Sequence, residues 1–318
     1  MGYFDYSREP KSDIAFVDMK SFYASVECVK RGLHPLKTSL CVMSRADNST
    51  GLILASSPLF KKIFGKSNVG RAYDLPFDIK TRKFSYYNAR KQGLPTDLDY
   101  VRYIEDWAQV TLIVPPRMDE YIAVNMEIQR IFQNYGSPDD IYPYSIDEGF
   151  IDLTSSLNYF IPDKSLSRKD KLDMLSARIQ RDIWRRTGIY STVGMSNANP
   201  LLAKLALDNE AKHTQTMRAN WSYQDVEEKV WSIPKMTDFW GIGRRMEKRL
   251  HALGIFSIKE LAISNPDQIQ KVLGQAGLRL WFHANGIDES NVHKPYKANS
   301  KGLGNSQILQ SDYVKLRD

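Results

Sequence analysis

Cysteine is almost absent. Cys28 and Cys41 are the only two in 318 residues, with no CxxC spacing, which excludes a disulfide framework and a cysteine-built zinc site. Histidine is also sparse: His34, His213, His251, His283 and His293 share no short ligand spacing. No Ser-His-Asp or Cys-His arrangement has local support, so acyl-transfer hydrolysis finds no footing. No run approaches the roughly 20 apolar residues of a membrane span. The opening MGYFDYSREP lacks a basic stretch followed by an apolar one, so a cytoplasmic protein off the membrane is expected. Gly and Pro are not in excess and no segment is of low complexity, which argues against disorder. Acidic residues are the minority sign: 37 against 44 Lys and Arg, a net charge of +7. That excess favours a polyanion such as nucleic acid as partner.

A hydrophobic content of 42% supports real cores, and the length suits two or three structural units. Periodicity predicts strands at 14–18, 39–44, 51–55, 108–114 and 190–195, and a strand, acidic tip and strand over 142–153. It predicts helices at 59–64, 119–135, 172–187 and 201–212. The order βαβ, acidic hairpin, αβ points to an antiparallel ferredoxin-like sheet with two helices behind it. Past Trp221 only helical segments with glycine-containing turns remain, and 285–299 turns polar like a linker.

Three acids stand out. Asp18 ends the strand-like start of FVDMKSFYASVE, and Asp147 and Glu148 sit inside YSIDEGFIDL. Ends of strands hold charged groups rigidly beside one another. Converging carboxylates repel and lose hydration, so they imply a divalent cation or a protonated member. Strand-adjacent Asp residues are often mere turn formers, but Gly149 and the immediate return to the apolar FIDL argue against a simple solvated tip. Asp152 reads as structural. The pattern points to a metal-dependent enzyme acting on phosphates. Farther on, Gly241-Ile242-Gly243 precedes Arg244, Arg245, Lys248 and Arg249. A glycine turn at a helix start beside four cations suits a nucleic-acid backbone phosphate; a solvated basic helix face is the plainer alternative.

FVDMKSFYASVE and YSIDEGFIDL resemble the two catalytic motifs of the Y-family, or translesion, DNA polymerases. Together with NPLLAKLALDNEAK they are similar to the UmuC-like branch of Gram-positive bacteria, their phages and plasmids. The resemblance extends over nearly the whole chain. It implies an α+β fold: a ferredoxin-like polymerase palm with small inserted fingers and an all-helical helix-hairpin-helix thumb. The palm would take 1–29 and 94–219, the fingers 30–93 and the thumb 220–292. KGLGNSQIL resembles only the start of a little-finger domain, so 293–318 is expected to be a linker and the first strand of an otherwise missing domain, the chain being truncated there.

The resemblance also implies roles. Asp18, Asp147 and Glu148, assisted by the Met19 backbone carbonyl, would bind two Mg²⁺ ions, with Mn²⁺ a substitute. Tyr23, with Phe22 beside it, falls on the steric-gate position that excludes a ribose 2′-hydroxyl. Lys62 and Lys212 would contact the triphosphate. Leu59 replaces a Tyr often found in the fingers, a departure for which Ser56 or Ser57 could substitute. Lys204 would support the palm or contact DNA. Gly241, Gly243, Arg244, Arg245 and Lys248 would grip DNA. The expected partners are primer–template DNA and dNTPs, with a sliding clamp only for a full-length form, and the chain is expected to be monomeric. The expected reaction is template-directed dNTP addition with low fidelity and processivity. The alternative is a DNA-binding or regulatory protein on the same fold with little turnover.

Overall fold

The computed structural model describes residues 4–46, 51–64 and 70–294, with Gly302 and Gly304. Most of the expected linker and terminal strand at 293–318 lies outside the described residues. In chain order the strands are β1 (Ile14–Met19), β2 (Leu40–Met43), β3 (Leu52–Ser56), β4 (Gly70–Arg71), β5 (Leu112–Val114), β6 (Ile141–Pro143), β7 (Glu148–Asp152), β8 (Ser191–Ser196) and β9 (Arg218–Asn220). The helices are α1 (Phe22–Val29), α2 (Pro58–Phe64), α3 (Tyr86–Lys91), α4 (Leu98–Val110), α5 (Met118–Phe132), α6 (Leu157–Phe160), α7 (Arg168–Thr187), α8 (Pro200–Asn209), α9 (Arg244–His251), α10 (Ile258–Ile263) and α11 (Pro266–Ala284). Two compact units result, one holding Met1–Lys20 and Ile122–Lys294, the other Ser21–Tyr121.

The first unit contains a sheet in the order β6-β7-β1-β8-β9. Its first four strands, renumbered by appearance, run 4-1-3-2 from β8 to β6 and are antiparallel throughout, which is the ferredoxin-like arrangement. β9 adds a parallel edge beside β8; sequence periodicity missed it, because three residues carry too little pattern. α8 packs on the face carrying Phe16 and Phe150 through Ala203 and Leu207. Gly194 makes that approach feasible, since a Cβ there would lie 2.0 Å from the Ala203 carbonyl oxygen. α8 starts where expected: Asn199 accepts from the Leu202 N–H and Pro200 takes the first turn. α7 is capped by Ser167 and closed by Gly188 in the left-handed region. Beyond Trp221 the chain is helical, and its apolar residues form one cluster with Leu201, Leu202 and Leu205 of α8.

The second unit carries a smaller sheet, β4-β3-β2-β5, with β2 and β5 parallel. Ala24 and Cys28 of α1 pack on its Leu40, Val42 and Ala55, while Phe60, Phe77, Ile104 and neighbours form a separate core. Here the expected strand over 108–114 is corrected: a helix occupies Leu98–Val110 and the strand is only Leu112–Val114. Asp97 caps that helix by accepting from Tyr100 N–H, and Val101, Ile104 and Ala108 line its buried face at helical spacing.

Candidate active site

The site grows from β1. Four residues of that strand, Ile14 to Val17, are almost fully buried, so the strand is an interior rail and Asp18 is the first place it can carry charge. Asp18 is the direct cross-strand partner of Glu148 on β7 and of Thr192 on β8. Opposite residues of antiparallel strands put their side chains on one face, and like charges there repel. Asp147 lies in the bend before β7, and Glu148 is that strand's first residue. The bend is built locally: the N–H groups of Tyr144 and Ser145 both donate to the Glu148 carbonyl, each at 3.0 Å. It is tied back to β1 where Met19 N–H donates to the Asp147 carbonyl at 2.9 Å. Asn125 braces it from α5, its amide donating to the Ile146 carbonyl at 2.7 Å. The Ser145 hydroxyl donates to Asp147 Oδ1 at 2.8 Å.

Two lysines answer the acids. Lys204 Nζ sits 3.0 Å from Glu148 Oε1 and 3.4 Å from Asp208 Oδ2, with its side chain only 8% exposed. It also lies 4.4 Å from the centre of the Phe16 ring, whose face favours a cation. Lys212 Nζ lies 3.3 Å from Asp18 Oδ2 and 2.8 Å from Asp208 Oδ1, and is 38% exposed. Asp208 therefore joins the two lysines, a role missed from sequence. Its signal was present: Lys204, Asp208 and Lys212 recur every four residues, the spacing that stacks side chains along a helix. Burial pushes Asp18 up to about 6, with Glu148 and Asp147 adding to the rise and Lys212 opposing it. Burial pulls the Lys212 ammonium down, but Asp18 and Asp208 outweigh it and the net shift is upward.

Among the described residues, no three Asp, Glu, His or Cys side chains converge as a ready-made metal shell. The donor chemistry nonetheless fits a hard divalent ion. All the candidate ligands are oxygens, and burial with the neighbouring carboxylates disfavours the charged form of Asp18, a cost that bound positive charge lowers.

The remaining candidates fall in two places. Gly241, Gly243, Arg244, Arg245 and Lys248 are all exposed, while Ile242 between the glycines is buried as an anchor. Gly241 has a φ of 96°, which only glycine adopts without strain, and Gly243 is the N-cap of α9. A cleft of about 1060 Å³ is lined by both Asp208 and this glycine turn. Phe22, Tyr23 and Lys62 belong to the second unit. There Phe22 is buried, Tyr23 half-buried and Lys62 exposed on α2. Ser57 is committed to its own turn, its hydroxyl donating to the Thr38 carbonyl at 2.6 Å and accepting from Leu40 N–H.

Comparison with known proteins adds to this geometry. Residues 84–208 match the model of the impB/mucB/samB family, and residues 223–255 match that of the IMS family HHH motif. The chain is 35% identical over 311 residues to UvrX of Bacillus subtilis (strain 168), a protein named for UV-damage repair, covering 98% of this chain and 64% of that one. It is 31% identical over 307 residues to DNA polymerase IV 2 of Halalkalibacterium halodurans, covering 96% and 64%. The chain thus spans a little under two thirds of the length of these curated relatives. Among solved structures it superimposes on DinB from Sulfolobus solfataricus with a TM-score of 0.59 at 22% identity, covering 88% of this chain and 69% of that one. A Y-family DNA polymerase chimera of Dbh and Dpo4 gives 0.61 at 21% identity, covering 90% and 70%. At such identities the solved structures speak for the fold.

Proposed function

We propose that this chain, a homologue of the Y-family (DinB- and UmuC-like) translesion DNA polymerases, adds deoxynucleotides to a primer 3′ end as directed by a template, with low fidelity. One observation carries the reading: Asp18 and Glu148 are register partners on adjacent strands, with Asp147 tied to the same strand end through Met19. Sheets seldom place like charges opposite each other without a task for them.

Asp18, Asp147 and Glu148, with the Met19 carbonyl, would hold Mg²⁺. Bound there, the two ions supply an activated primer hydroxyl and neutralise the phosphates and leaving group. Homology supports that chemistry at the level of the family. The chain's own residues do the rest. Lys204 stays with Glu148 and keeps that carboxylate turned inward. Lys212 is exposed enough to turn from Asp18 towards an incoming triphosphate, with Lys62 as a further cation for it. Tyr23, with Phe22 packed beside it, excludes a 2′-hydroxyl. The N–H groups at the start of α9, with Arg244, Arg245 and Lys248, take backbone phosphates of the duplex without reading bases.

In this reading 1–29 and 94–219 form the palm, 30–93 the fingers and 220–292 the thumb. A cytoplasmic monomer is part of the same proposal. The test is single-nucleotide primer extension with each dNTP separately, Mg²⁺ or Mn²⁺, and low salt. Template-matched addition that disappears in Glu148→Ala supports the reading. Salt-sensitive duplex binding without extension replaces it with a DNA-binding role.

A further inference from the structure

We infer that Tyr121 is a positioning residue for sugar selection, holding the Tyr23 ring in place and being held in turn by buried Glu27, which the half-buried Arg117 grips. The inference rests on the reading of Tyr23 as the group that excludes a 2′-hydroxyl, and adds what keeps that group from yielding.

All four residues lie in the unit Ser21–Tyr121. The Tyr23 and Tyr121 rings are stacked, with centroids 4.3 Å apart and planes 13° from parallel. Tyr121 is fully buried, so it is a wall that cannot retreat, whereas Tyr23 is half-buried. The wall is fixed by chemistry as well as packing. Tyr121 Oη donates to Glu27 Oε1 at 2.8 Å. Glu27 has no exposed side-chain surface, and Arg117 grips both its oxygens, Nε to Oε1 at 3.0 Å and Nη2 to Oε2 at 2.8 Å. Arg31 contacts the same carboxylate.

The connections form a closed circuit. Glu27 follows Tyr23 by four residues on α1, and Tyr121 follows Arg117 by four residues, its N–H donating to the Arg117 carbonyl at 3.2 Å. Two short segments distant in sequence are thereby clamped at both ends, by a ring stack and by a two-pronged ion pair. Steric exclusion of one oxygen atom needs that kind of support. A surface aromatic turns on fast timescales, and a displacement of about 1 Å decides whether a hydroxyl fits. A purely structural staple would explain the burial of Glu27. It would not call for a ring laid flat against Tyr23.

The experiment compares dATP and ATP incorporation opposite template T by wild type, Tyr121→Leu, Tyr121→Phe, Tyr23→Ala and the Tyr23→Ala/Tyr121→Leu double variant. Without turnover, the ratio of dATP to ATP affinity for the enzyme–primer–template complex is read instead. Tyr121→Leu should lower the deoxy-to-ribo preference about tenfold while kcat for dATP stays within about threefold. Tyr121→Phe, which keeps the ring but loses the bond to Glu27, should lower the preference by less than Tyr121→Leu. In the double variant the second change should add nothing to the first. A Tyr121→Leu protein that loses both activities equally, with the ratio unchanged, overturns the inference and leaves Tyr121 a structural residue. An unchanged ratio in Tyr23→Ala overturns the gate reading itself, and the inference with it. Should Tyr121→Leu fail to fold by thermal melting, Glu27→Gln asks the same question: a lowered ratio supports the inference and an unchanged one overturns it.

Discussion

Asp18 and Glu148 face each other across β1 and β7 as direct register partners, and each carboxylate is matched by its own lysine, Lys212 for the first and Lys204 for the second. The two pairs differ in burial: the Lys204 side chain is 8% exposed and the Lys212 side chain 38%. On the proposed reading, that difference would separate a cation that holds the site together from one that turns towards a substrate.

Lys204→Met should accordingly lower stability by about 1–3 kcal/mol, because it leaves Glu148 partly buried without its ammonium. Lys212→Met, whose side chain is more exposed, should lower stability by less and raise KM for the incoming dNTP about tenfold or more. Urea denaturation and steady-state primer extension on both variants check the contrast. Equal effects on the two readouts would remove the division of labour.

Glu148→Ala and Asp147→Ala should each lower primer extension by about 10²–10³-fold or more while duplex binding persists. Gel-based extension beside fluorescence anisotropy separates the two. Full extension by either variant would end the assignment of the acids.

The metal-free protein should show a pH signature of Asp18. Its folded-state pKa is raised from 3.8 to about 6, so the folded chain binds a proton more readily than the unfolded one between those values. Stability therefore falls as pH rises through that window and stays lowered above it. Asp18→Asn should be more stable than wild type by up to about 3 kcal/mol at pH 7.5 in EDTA, and by little near pH 4. Added Mg²⁺ should raise the melting temperature of wild type but not of the variant. Parallel pH dependences for the two proteins would contradict the argument.

Arg244→Ala and Arg245→Ala should each weaken duplex binding regardless of sequence and reduce the slope of log K against log salt by about one. Anisotropy over a salt series measures both. Weakening confined to one DNA sequence would contradict a backbone contact.

Much of this was readable from the chain alone, wherever the signal was local. The acids announced themselves by abrupt charge at the end of apolar runs. The helix expected at 201–212 starts one residue earlier, at Pro200, the one expected at 172–187 starts four residues earlier, at Arg168, and Gly241-Ile242-Gly243 marked a turn before a basic helix. Caps and turns depend on residues within four positions of one another, so their chemistry is written in order along the sequence. The run ending at Val110 was misread because Ala108, Val110 and the strand Leu112–Val114 form one apolar stretch, and periodicity over so few residues does not separate a helix end from a strand.

Other features depended on chain closure. The pairing of Asp18 with Glu148 requires β1 and β7 to align in one register out of several that a hydrophobic pattern alone allows, and a shift of one residue would send Glu148 to the opposite face. Lys204 and Lys212 met Glu148 and Asp18 only when the segment that carries them was laid against β1 and β7. The clasp of Glu27 by Arg117 joins residues 90 positions apart, and neither residue is unusual in its own neighbourhood. Sequence by itself determined which chemical groups the chain carries and where its local elements begin. Tertiary structure decided which of those groups meet, because burial and cross-strand register act between segments that the sequence keeps far apart.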